Sequence, residues 1–151
     1  MGLLNRVRDL VRRHAVPTLG IDDPGLEVVA EAFDPAEADS AVLARARDWR
    51  AGDPAVLRHH LTLPAPRFDE AARTLAQDGW KLREAPTGSP TGTVSPSDTV
   101  VRAHALRVQV LDPLHCAQER SRMAGLAQRL GGDSLGWDAL QPARPGGRAG
   151  K

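Results

Sequence analysis

Histidine is the first chemistry the chain offers. His59 and His60 are consecutive, His104 lies in a second apolar segment, and His115 adjoins the single cysteine, Cys116. Three imidazoles could hold zinc, which needs three or four ligands converging at about 2 Å. His59 and His60 occupy an alternating stretch, however, and neighbours along a strand point to opposite faces. Both cannot easily reach one ion. A Cys–His nucleophile needs the imidazole within hydrogen-bond reach and a thiol of lowered pKa. His115 and Cys116 are adjacent on a helical pattern whose apolar stripe includes Cys116, which reads as a core thiol. Asp112, Glu119 and Asp138 make no acid–base pair at a recognisable spacing. Gly88, Gly92, Gly146 and Gly147 lack the strand–turn–helix context of a phosphate loop. No catalytic residue, metal or cofactor is expected.

The elements that would carry these residues follow from hydrophobic period. Leu3, Leu4, Val7, Leu10 and Val11 recur at helical spacing with arginines opposite, a basic amphipathic helix over 1–16. Its three destinations are the sheet of the fold, an anionic membrane surface and a partner. An acidic linker or arm spans 17–34, with Leu26–Ala30 a short strand or extended. Asp34-Pro35 opens a helix that runs through Val42, Leu43, Ala46 and Trp49 to Arg50. Val56–Leu63 alternates, with Leu57, His59, Leu61 and Leu63 on one face and Arg58, His60 and Thr62 on the other. A helix from Phe68 stops at Gly79, and Trp80–Glu84 is a strand. Residues 86–97 are almost pure Pro, Gly, Ser and Thr, a flexible surface loop that is either a disordered insertion or a functional lid. Thr99–Leu111 is a long strand whose apolar phase changes, predicting a bulge near Ala105. Asp112 caps the last helix, Gly131-Gly132 stops it, and Leu135 and Trp137 alternate on the final strand. The 142–151 tail reads as disordered.

Composition narrows the class. The 151 residues suit one domain, with 41% hydrophobic and only 3% aromatic content. Trp49, Trp80 and Trp137 are the large pieces of the core, and Trp80 and Trp137 are either core plugs or interface anchors. One cysteine excludes an intramolecular disulfide and fits a reducing cytoplasm. No apolar run approaches the roughly 20 residues of a membrane span, and the N-terminus lacks a signal-peptide core. Only Lys81 and Lys151 are lysine among the bases, a high-GC bacterial composition. Net charge is +1, unevenly spread: residues 1–16 carry +3 and residues 21–39 carry −7. The stretch 53–141 is balanced, so the basic footprint of a nucleic-acid binder is missing from the part that folds. Direct nucleic-acid binding is not expected.

Strand, helix, strand, then strand, helix, strand predicts an α+β, ferredoxin-like split β-α-β-β-α-β two-layer sandwich with extra N-terminal helices. Within it, His59-His60-Leu61, Asp78-Gly79-Trp80 and Gly131-Gly132…Gly136-Trp137-Asp138 resemble motifs of the regulator of ribonuclease E activity B family. The resemblance spans roughly residues 37–141, inside a domain assigned to 35–141. Leu135 stands where that family carries an acidic residue. The resemblance implies a cytoplasmic, non-enzymatic protein that binds ribonuclease E and restrains RNA decay. Arg58, His60, Thr62 and Trp137 are then the candidate partner-binding residues. The alternative is a ferredoxin-like domain that senses a small molecule or dimerises through its sheet.

Overall fold

The structure is a computed structural model that describes residues 18–86 and 99–144. The 1–16 helix, nearly all of the 86–97 loop and most of the 142–151 tail lie outside the described residues. Five strands form one antiparallel sheet: β1 (Leu26–Ala32), β2 (Pro54–Pro64), β3 (Lys81–Glu84), β4 (Val100–Val110) and β5 (Asp133–Pro142), in the order β1-β5-β2-β4-β3. The helices are α1 (Asp39–Arg45), α2 (Phe68–Ala76) and α3 (Pro113–Arg129). No helix among the described residues is long and apolar enough to cross a membrane.

The expectation of a simple ferredoxin-like split β-α-β-β-α-β is corrected by this sheet. The acidic linker or arm, in which Leu26–Ala30 reads as a short strand or extended, supplies a fifth strand of the sheet, β1, which pairs antiparallel with β5 from Leu26↔Pro142 to Ala32↔Trp137. Its sequence hides this because only Ala30 and Ala32 are buried, while Glu27, Val28 and Glu31 face outward. An edge strand with one small-residue core face carries little hydrophobic period.

Two further expectations change. Asp34 does not cap a helix: its carboxylate accepts from Ala36 N–H at 2.9 Å, making a local turn, and α1 starts only at Asp39. This side-chain-to-backbone bond competes with helix formation. The helix ends at Arg45 rather than Arg50, because tertiary bonds claim the next residues. Buried Gln141 accepts from Arg50 N–H at 2.9 Å and donates to Arg50 O at 3.1 Å. The bulge is not in β4 either. The β2–β4 register is unbroken from Pro54↔Val110 to Pro64↔Val100. The extra residue is Leu135 in β5, where Leu61 pairs with Ser134 and His60 with Gly136. The phase change in β4 instead marks burial on both faces, Ala103 and Ala105 under the helices and Leu106 on the opposite side.

The core lies between sheet and helices, with Leu57, Leu61, Leu63, Met123, Ala127 and Trp137 fully enclosed. The opposite face is not wholly open. Val56 and Leu106 are 1% and 7% exposed there. Asp22, ahead of β1, pairs with Arg83 of β3 at 2.7 Å. Those strands are opposite edges, about 19 Å apart, so the segment before β1 reaches across this face.

Two glycines set how closely elements approach. A Cβ at Gly132 would lie 1.9 Å from Thr62 O, and one at Gly136 would lie 2.3 Å from Ala32 O, where φ is +131°. Gly132→Ala and Gly136→Ala should each cost about 2–3 kcal/mol, the range for forced overpacking. Gly125→Ala, with nothing within 4 Å of its Cβ inside α3, should instead gain about 0.5–1 kcal/mol. Urea midpoints of the three variants check this.

Candidate functional site at the face away from the helices

Alternation in β2 sends His59 and His60 to opposite sides. His59 is fully buried under α2 and α3, edge-on to Trp80 at 5.4 Å between ring centroids. Neither of its ring nitrogens has a hydrogen-bond partner among the described residues. Burial first, then the charges of His60, Arg120 and Arg107, push its pKa down to about 3. The ring is a neutral core group and no base.

His60 belongs to the other face and to a charge network. Asp138 of β5, 4% exposed, takes Arg58 in a two-pronged pair at 2.8 and 2.6 Å. The Oδ1 atom of the same carboxylate also meets His60 Nε2 at 3.0 Å. Burial raises the Asp138 pKa, but bonds from His60 and Arg58 outweigh it and hold the carboxyl below its ordinary value. His60 touches His104 edge-on at 4.5 Å, and Phe33 approaches it from the end of β1 at 5.0 Å. His104 is pushed down to about 4 by burial, then by the neighbouring charges of His60 and Arg58.

Of the four residues singled out in the sequence, the structure gathers three here. Arg58 is committed to Asp138, His60 sits beside it, and Thr62 accepts Asp133 N–H at 3.2 Å while remaining half-buried. Trp137 is not a surface anchor. It is completely buried on the helix side, donating from Nε1 to Asp39 at 3.0 Å, and Arg120 braces the same carboxylate at 3.0 Å. The core had few other large side chains to take its place.

Sequence reasoning passed over Phe33, Leu135 and the role of Asp138. Phe33 is 43% and Leu135 36% exposed, and both line a depression of about 390 Å³ with Arg120 and Gly136. The bulge at Leu135 turns that side chain outward, and no periodicity announces it.

Elsewhere the reactive groups are occupied or shielded. Cys116 is fully buried and its thiol is pushed up to about 12, chiefly by burial. Asp112 caps α3 through His115 N–H at 2.8 Å and also bonds the His115 ring. Glu119 pairs with Arg107 at 2.9 Å, and Arg107 lies over the Trp80 ring at 4.2 Å. Among the described residues no three of His, Cys, Asp or Glu are grouped as metal ligands. Compared with protein-family models, curated proteins and solved structures, the chain finds no match.

Two predictions follow from the charges. Asp138→Ala strands Arg58 and loosens β2 from β5; breaking a buried pair should cost about 3 kcal/mol, read by denaturant unfolding. The second concerns pH. Unfolded His59 titrates near 6.5, but the folded ring resists protonation until about 3, so the unfolded state binds the extra proton. Stability is therefore full above pH 6.5 and falls as pH drops, with a slope approaching 1.4 kcal/mol per pH unit, about one proton. His104 acts in the same direction, whereas Asp138, lowered from 3.8, loses its contribution only below that value. His59→Leu should flatten the slope between pH 6 and 4, about one proton's worth, in unfolding curves taken across that range.

Proposed function

We propose that this chain is a non-enzymatic, protein-binding regulator that works in the cytoplasm, with ribonuclease E as the partner to test first. The observation that carries the protein-binding part is the pairing of exposed Phe33 and Leu135 around one depression, with Phe33 touching His60. Exposed large apolar side chains at the margin of a hollow, here one just past β1 and one at the β5 bulge, are what an interface anchor uses. Arg120 in the lining is held by Asp39 and by the Glu37 and Ala32 carbonyls, so it fixes the wall of the depression. The choice of ribonuclease E rests on the short motifs around His59-His60, Gly79-Trp80 and Gly136-Trp137-Asp138. The non-enzymatic part is supported by Asp138 being spent on Arg58 and by the buried, high-pKa thiol of Cys116. The alternative, a small-molecule-sensing domain, draws support from a separate cavity beside His104 and Arg102.

Arg58 is a poor residue with which to test the surface, because its loss unpairs a buried carboxylate. Phe33→Ala with Leu135→Ser is the better variant, since both side chains are partly free in the isolated chain. Its melting temperature should stay within a few degrees of the parent. Captured on immobilised ribonuclease E of the same host, the parent should be retained and the double variant lost. Equal retention of both removes the surface, and retention of neither removes the partner.

A further inference from the structure

The face that carries His60 holds a hollow of its own, on the β4 side. It measures about 280 Å³ and is lined by His60, His104, Arg102, Ala103, Ala85 and Pro86. Cross-strand pairing builds it. His60 stands directly opposite His104, Thr62 opposite Arg102, and Arg83 of β3 opposite His104. Side chains opposite one another in antiparallel strands lie about 5 Å apart, so two imidazoles and a guanidinium border one small space.

Its charge is one-sided. The carboxylates near it are already engaged: Asp138 by Arg58 and His60, Asp22 by Arg83. Glu31, opposite Asp138 on β1, faces solvent at the far side of β5. Among the described residues, Arg102 remains as the cation in the lining. The pKa of His104 is depressed first by burial and then by the charges of His60, Arg58 and Arg102, with Asp138 pulling the other way. A hollow whose lining holds a guanidinium and two imidazoles and, among the described residues, no carboxylate is suited to an anion.

We propose that the hollow between His60, His104 and Arg102 is a binding site for a phosphate group, free or on a small phosphomonoester. The planar guanidinium of Arg102 and the ring N–H of His104 can donate to the tetrahedral oxygens of that group, while His60, held through Nε2 by Asp138, walls the hollow. The volume is at the small end for ligand sites, enough for the phosphate with the rest of a monoester outside. The site is separate from the Phe33–Leu135 surface and does not depend on the protein-binding reading.

The test is imidazole NMR of the full chain, titrated with inorganic phosphate at fixed ionic strength. Saturable shifts of the His60 and His104 ring signals are expected, with the apparent pKa of His104 moving upward as phosphate binds. Arg102→Ala, at an exposed position, should weaken binding at least tenfold, about one charge-assisted bond, with an unchanged melting temperature. Sodium chloride at matched ionic strength producing the same shifts would mean screening alone and overturn the proposal, as would no saturable shift at all. Phenyl phosphate binding more tightly than inorganic phosphate identifies a monoester as the ligand; equal affinity identifies free phosphate.

Discussion

Trp137 and Asp138 are consecutive, and between them they fasten both faces of the sheet. The tryptophan points under the helices and bonds Asp39 of α1, which Arg120 of α3 also holds. The aspartate points the other way and ties β5 to β2 through Arg58 and His60. A strand near the middle of the sheet thus anchors the helical layer with one residue and the opposite face with the next. Because Arg58 meets the carboxylate with two parallel bonds, the pair constrains geometry as well as charge. The position of His60, and of every group that touches it, follows from that constraint.

The cost of this arrangement is visible in the buried polar groups. His59 has no partner for either nitrogen, and the indole N–H groups of Trp49 and Trp80 are unpaired among the described residues. Each forgoes solvation, which opposes folding. Tight backbone approach offsets part of it. Gly132 lets the end of α3 settle against Thr62 O, and Gly136 lets β5 pass close to Ala32 O. The Leu135 bulge between those glycines then turns an apolar side chain outward beside Phe33. Packing demands and surface chemistry are therefore settled by the same few residues.

Local chemistry was readable where it is strong. The alternation of β2 separated His59 from His60, the Asp112-Pro113 start of α3 is a regular cap, and Cys116 fell on the apolar stripe. Readings failed where long-range bonds outweigh local preference. The helix expected from Asp34 to Arg50 shrank to seven residues because Asp34 turns on itself and Gln141 captures Arg50. The four-stranded sandwich became a five-stranded sheet because β1 gains its hydrogen bonds from β5, distant in sequence. Trp137, an anchor candidate on composition alone, proved to be core.

The sequence by itself determined which segments are strands and helices over most of the chain, which face of β2 is apolar, and the absence of any regular catalytic motif. Those depend on periodicity and on neighbours a few residues apart. Only the tertiary structure decided that Asp138 serves Arg58 and His60, that Phe33 and Leu135 line one depression, and that His104 and Arg102 share a hollow with His60. Such groupings arise from strand register and from one extra residue at Leu135. A one-residue change of register reverses every facing, and nothing within a single strand encodes its partner's register.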